Sequence, residues 1–173
     1  HNLTPVVLEL GGKSPCIIDR TADIKIAARR VAWGKTLNSG QTCIAPDYII
    51  IHEDVKEEFI REFAAAVEYL HGSDIKQSQH FVRMVSDKAF ERVTGYLKDG
   101  TIVYGGRTDS SDRFIEPTLL DNVSPDAPVM TDEIFGPIFP IITISPKDGE
   151  IRDQVVKFIT DREKPLAFYY FGR

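Results

Sequence analysis

Cysteine is scarce in this 173-residue chain: there are two, Cys16 and Cys43. Two thiols make no disulfide framework, so a reducing, cytoplasmic setting is the default expectation. A basic surplus is lacking as well, with 21 Lys and Arg against 26 Asp and Glu and a formal net charge of -5. Phosphate backbones are held by clustered excess positive charge, so no nucleic-acid partner is expected. Apolar runs such as Tyr48-Ile49-Ile50-Ile51 stop far short of the roughly 20 residues a membrane span needs, which gives the expectation of no membrane contact within the chain. The four histidines, His1, His52, His71 and His80, are dispersed, and no Cys-x-x-Cys or His-x-x-x-His spacing points to a metal. The chain opens on His1 rather than Met and stops at Phe171-Gly172-Arg173, just after a strand-like run. Both ends give the expectation of a piece of a longer protein.

What is present is a globular composition, 42% hydrophobic and 27% charged, in a chain long enough to bury about 70% of its unfolded surface in one domain. Runs rich in β-branched and aromatic residues predict strands over Val6 to Leu10, Cys16 to Asp19, Tyr48 to His52, Thr101 to Tyr104, Ile138 to Ile144 and Leu166 to Phe171. Between them lie four apolar faces at helical spacing. The first is Ile24, Ala27, Ala28, Val31 and Ala32, closed by Asn38-Ser39-Gly40, and the second is Val55, Phe59, Phe63, Val67 and Leu70, ending at Gly72. The third is Val82, Val85, Ala89, Val93 and Leu97 before Gly100, and the fourth is Ile151, Val155, Phe158 and Ile159 before Pro165. Strand and helix alternate, which predicts an α/β domain with a mostly parallel sheet and helices on both faces. Gly105 to Arg113 reads as a surface loop.

Three residues could carry chemistry. Glu9, in "VVLELGGKSP", sits in a run that reads as a buried strand, where desolvation would push its pKa upward and suit it to accept a proton near neutrality. A strand-end carboxylate held by a lysine or by backbone amides is the alternative. Cys43 follows Gly40-Gln41-Thr42 at a helix-to-strand junction, where a thiol is accessible and a free backbone N–H can hold an oxyanion. The alternative there is an inert small apolar residue. Cys16, inside "PCIID", fits that inert description. Glu133 lies in "MTDEIFGPIFPI", where Gly136, Pro137 and Pro140 stiffen the backbone; this is a ligand platform or simply the way a loop enters a sheet.

Together, "LELGGKSP", "GQTC" and "EIFGP", in that order and separated by 34 residues from Glu9 to Cys43 and 90 from Cys43 to Glu133, resemble the catalytic domain of the aldehyde dehydrogenase superfamily. Stretches such as "VSDKAFERV" and "IEPTLLDNV" are similar to its fatty-aldehyde and dimeric class 3 branch. The likeness covers residues 1–173, and implies a catalytic, thiol-bearing domain whose dinucleotide-binding partner domain and C-terminal segment lie elsewhere. By that resemblance Cys43 is the nucleophile that takes an aldehyde through a thiohemiacetal to a thioester, and Glu9 activates the water that opens it. Glu133 binds the nicotinamide ribose, Phe135 lies beside that ribose, and Leu10 makes a backbone contact to the carboxamide. The implied cofactor is NAD or NADP, the implied partner a small-molecule aldehyde, and the implied assembly a homodimer. Because the oxyanion asparagine and the dinucleotide domain are not among these residues, the chain alone is expected to be nearly inactive. Two other classes stand beside this reading: a cysteine hydrolase pairing Cys43 with His52 or His80, and a non-catalytic assembly module. The dehydrogenase reading requires the Cys43 thiol and the Glu9 carboxylate to face one small cavity.

Overall fold

The computed structural model describes residues 3–145 and 151–173. A six-stranded sheet forms from β1 (Ser14–Ile18), β2 (Pro46–His52), β3 (Thr101–Tyr104), β6 (Thr118–Asp121), β7 (Ile138–Ile144) and β8 (Tyr169–Phe171), in the order β3-β6-β7-β2-β1-β8. A two-stranded hairpin pairs β4 (Thr108–Asp109) with β5 (Phe114–Ile115). All sheet pairings are parallel except β3 with β6, so the mostly parallel α/β architecture is observed as expected.

Alternation along the central strand sorts the core. From β2, Ile49 and Ile51 point to one face, where they join Cys16, Ile18, Phe139 and Ile141 under helices α1 (Ile24–Thr36) and α2 (Glu53–His71). Tyr48 and Ile50 point to the other, with Ile17, Leu120 and Ile138 under α3 (Asp87–Thr94) and α4 (Ile151–Thr160). Strands buried on both faces are what parallel pairing demands. Each fully buried Ile or Phe contributes about 2 kcal/mol by leaving water. In α4, Val155, Phe158 and Ile159 pack on this second core; the Ile151 side chain lies outside the described residues.

The helix ends follow local chemistry. Asp23 caps α1 by accepting from the Ile26 N–H at 3.0 Å, and α2 ends at Gly72, whose φ of 88° places it in the left-handed region. His52 caps α2, its Nδ1 accepting from the Asp54 N–H at 3.2 Å, so the proton of the neutral ring sits on Nε2.

Three expectations are corrected. Val6 to Leu10 forms no strand: the segment has no ladder partner, and its side chains are exposed, Leu10 by 86%. A β-rich run becomes a strand only where a neighbour accepts its hydrogen bonds. The third helix begins at Asp87 behind a Ser86 cap, not at Val82. The preceding backbone is committed elsewhere: the Val82 carbonyl accepts from Ser39 Oγ, and the Val85 N–H donates to Gln41 Oε1 at 2.9 Å. The stretch read as a loop over Gly105 to Arg113 carries β4, tied down by Lys76 on Asp109. Strand β6 was not anticipated.

Two glycines with positive φ make a direct comparison. A Cβ at Gly40 (φ 72°) would stand 2.4 Å from the Gly136 carbonyl oxygen, whereas one at Gly72 would meet nothing within 4 Å. Gly72→Ala should therefore cost only the left-handed penalty, roughly 1–2 kcal/mol. Gly40→Ala should cost about 2 kcal/mol more, because backbone must move. Urea unfolding of the two variants measures the difference, and equal losses would contradict the close-approach argument.

Candidate functional site

The three motif segments enter neighbouring strands at the same end. The Glu9–Lys13 segment leads into β1, the Cys43 turn into β2 and the Glu133–Gly136 loop into β7, and these strands lie side by side, parallel, in the order β7-β2-β1. Parallel pairing therefore gathers residues 34 and 90 positions apart at the amino ends of adjacent strands.

Cys43 lies in a turn closed by the Ala45 N–H on the Thr42 carbonyl at 2.9 Å, and its side chain is half-buried. The turn is held from both sides. Upstream, Asn38 Nδ2 donates to the Gln41 carbonyl at 2.9 Å, and Gln41 Nε2 donates to the carbonyls of Asn38 at 3.0 Å and Arg83 at 3.2 Å. Downstream, the Tyr169 hydroxyl donates to the Ile44 carbonyl. Asn38 and Ser39 are both left-handed, with φ 50° and 54°, a conformation bought only where surrounding bonds over-determine it.

Close approach joins the loops. Gly40 abuts the Gly136 carbonyl, which seats the Cys43 turn against the Glu133 loop. Gly11 packs on the Glu133 carboxylate so tightly that a Cβ there would lie 2.5 Å from Oε2, and the Gly12 N–H donates to the same carboxylate. Burial raises the Glu133 pKa; the Gly12 bond opposes this, and the carboxylates of Asp47 and Glu9 add to the rise. Phe135 has a positive φ of 49° and is 38% exposed, an uncommon backbone for an aromatic residue. A cavity of about 340 Å³ opens here, lined in part by Leu10, Gly11, Gly12, Lys13, Glu133 and Arg162.

Glu9 departs from its expected setting. It is exposed, in an extended segment without strand neighbours, and its Oε1 accepts from the Gly11 N–H at 2.7 Å. The buried strand expected around it is absent. A second cavity, about 360 Å³, lies behind the Cys43 turn, with Thr42, Ile44, Trp33 and Tyr169 in its apolar wall. Neither cavity is lined by Cys43 or by Glu9. The structure thus brings Glu133 and Leu10 to one cavity and sets the Cys43 turn against the Glu133 loop, and it does not place Cys43 and Glu9 in either of these openings together.

The resemblance finds its counterpart in known proteins. The profile of the aldehyde dehydrogenase family matches residues 1–154. This chain belongs to the aldehyde dehydrogenase family. Among similar proteins is the dimeric NADP-preferring aldehyde dehydrogenase of Rattus norvegicus, 44% identical over 99% of this chain and 37% of its own length. The 4,4'-diaponeurosporen-aldehyde dehydrogenase of Staphylococcus aureus is 46% identical over 99% of this chain and 37% of its own. A solved structure of Staphylococcus aureus AldH in its substrate-bound state superposes with a TM-score of 0.93 at 45% identity, covering 99% of this chain and 37% of that one. The chain therefore spans a little over a third of the length of these relatives.

As a member of this family, the chain shows further residues at the site that the sequence reading passed over. Asp47, which is buried, and Lys13, which is half-buried, form an ion pair at the junction of the three segments. Lys35 is 1% exposed at the end of α1, its ammonium 4.9 Å from the centroid of the Phe139 ring. Its position continues the apolar stripe of Ile24, Ala28 and Val31, and that spacing was the available signal. Histidine helps little. His52 sits at the far end of β2 from Cys43, about 20 Å along seven extended residues, which removes it as the thiol's partner, and His80 is exposed. Among the described residues, no group of three or more His, Cys, Asp or Glu is placed to hold a metal ion, and no helix is long and apolar enough to cross a membrane.

Burial pushes the Lys35 pKa down to about 8; Asp47 and Glu133 pull it back, and Lys13 adds to the fall. A base with a depressed folded pKa costs stability when both states are charged, so the penalty is full below pH 8 and fades as pH rises toward 10.5. Lys35→Met should be more stable than the parent at pH 7 by up to about 3 kcal/mol. That advantage should shrink between pH 8 and 10.5, the range set by the shift. Urea titrations across that range check it, and a gap independent of pH would rule out the buried-charge penalty.

Proposed function

We propose that this chain is the thiol-bearing catalytic domain of an NAD- or NADP-dependent aldehyde dehydrogenase that converts an aldehyde to a carboxylic acid. The observation that carries the reading is the convergence of the three motif segments at the amino ends of β1, β2 and β7, with Gly40 against Gly136 and Gly11 against Glu133. In this reading the Cys43 thiolate adds to the aldehyde carbon, and the turn's own backbone N–H steadies the oxyanion. Once the carbon has given up its hydride, the acyl group stays on Cys43 as a thioester until Glu9, brought from its exposed segment to face it, deprotonates the water that opens the thioester and releases the acid.

The cofactor fits the residues present. Glu133 is a half-buried carboxylate whose oxygens accept a single backbone bond from Gly12, leaving acceptor capacity for a pair of ribose hydroxyls. The glycine at position 11 lets the Glu133 carboxylate pack where a Cβ would otherwise stand. Glu133 would hold the nicotinamide ribose, with Phe135 beside it and the Leu10 backbone on the carboxamide. The bound cofactor supplies the hydride acceptor.

Since relatives of this chain are nearly three times its length, we propose that dinucleotide binding and completion of the oxyanion hole come from residues outside these 173, in a cytoplasmic homodimer. The chain alone should produce no reduced nicotinamide from a medium-chain aldehyde, and robust turnover by it would refute that division of labour. In the complete enzyme, Cys43→Ser should drop turnover to background. Glu9→Gln should keep a pre-steady-state burst of reduced cofactor while the steady state slows about 10²-fold or more. An unchanged steady-state rate would remove Glu9 from the base role, a sharp test given its exposed position.

A further inference from the structure

Between β1 and β2 the ladder slips: Ser14 pairs with Pro46 and Pro15 with Tyr48, which leaves Asp47 without a partner residue on β1. Such an extra residue re-aims a side chain out of the ladder. Here it turns a carboxylate inward, 3% exposed. One oxygen, Oδ1, accepts from Lys13 Nζ, and the other, Oδ2, accepts from the Ile134 N–H at 2.9 Å. Lys13 Nζ spends its remaining protons on the carbonyls of Val129 and Asp132, each at 2.9 Å. Every donor of the ammonium and both oxygens of the carboxylate are engaged.

Two of these bonds grip Asp132 and Ile134, the residues immediately before and after Glu133, one from a side chain in the segment leading into β1 and the other from the head of β2. Asp47 also follows Cys43 by four residues at the head of β2. Because the Asp47 carboxylate is buried and the Lys13 ammonium is its charged partner, the pair is short of slack: a shift of either loop would leave a desolvated carboxylate unpaired.

We propose that Asp47 and Lys13 are positioning residues that set the placement of the Glu133 carboxylate relative to the Cys43 turn, and so govern how the nicotinamide cofactor is seated. The proposal rests on the functional reading above. Neither residue touches the reacting atoms. Their action runs through Glu133, so their loss should register in cofactor KM rather than in the reactivity of the thiol.

The test uses the complete enzyme. Asp47→Asn keeps an acceptor for the Ile134 N–H and removes the charge. At a temperature well below its Tm, its KM for NAD or NADP should rise tenfold or more, while the rate of Cys43 alkylation by iodoacetamide stays within twofold of the parent. Lys13→Arg, which keeps the charge but changes the fork of donors, should also raise the cofactor KM. Folded variants with a cofactor KM within twofold of the parent would overturn the proposal. Failure of both variants to fold would overturn it equally, by assigning the pair to stability alone. No aldehyde turnover by the parent with either cofactor would instead sink the functional reading, and the clamp with it.

Discussion

Parallel pairing of β1, β2 and β7 is the constraint on which the site depends. Each strand is entered from the same side of the sheet, so three loops far apart in sequence are delivered to a common edge at the spacing of adjacent strands, about 4.8 Å apart in the ladder. In open α/β sheets ligands more often sit beyond the carboxyl ends of the strands; here the three motif segments all precede their strands. Strand spacing alone does not bring the loops into contact. Contact comes from glycine: at 40, where a side chain would strike the Gly136 carbonyl, and at 11, where it would strike the Glu133 carboxylate. The glycines in the family motifs therefore act by what they leave out.

The edge is also where the structure departs from apolar packing. Below it, both faces of the sheet are lined by Ile, Val and Phe with almost no exposure. At it, the charges of Asp47 and Lys13 lie close enough to bear on the pKa values of Lys35 and Glu133. Desolvating these groups opposes folding, and hydrogen bonds offset the cost unevenly: Asp47 and Lys13 are fully bonded, while Lys35 has the face of Phe139 for its ammonium. A charge-rich seam over a dry core is an arrangement that stability alone would not select, because apolar residues of similar volume would hold the same strands together at lower cost.

Much of the framework was legible because it is local. The face of α2, its stop at Gly72, and the limits of β3 and β7 follow from residues that carry their own instructions in period and capping chemistry. The misses share one cause, dependence on partners distant in sequence. Val82 and Val85 continue a helical period, yet their backbone bonds to Ser39 and Gln41 instead. Val6 to Leu10 has strand composition and no ladder partner. Thr118 to Asp121 has weak composition and becomes a strand because β3 and β7 flank it. At the site, Cys43 and Glu133 stood out in the sequence by their motifs, whereas Asp47 and Lys13 did not, since a ladder slip between two strands leaves no trace in either strand's own pattern.

Backbone strain marks the same place from another direction. Asn38, Ser39 and Phe135 all occupy the left-handed region without being glycine, and they flank the contact between the Cys43 turn and the Glu133 loop. For asparagine and serine the cost is modest, because short polar side chains compensate locally; for phenylalanine it is larger, on the order of 1–2 kcal/mol. The turn at 38–41 is over-determined by the Gln41 and Asn38 side chains, and the loop at 132–136 by the Lys13 and Asp47 bonds on either side of Glu133. The rigidity needed to keep Phe135 in that conformation is thus supplied by side chains whose main effect is to fix Glu133. Strain at Phe135 and the Asp47–Lys13 pair that holds its loop are two aspects of one arrangement, in which stability is given up at the strand entrances and recovered from the apolar layers that the same strands build.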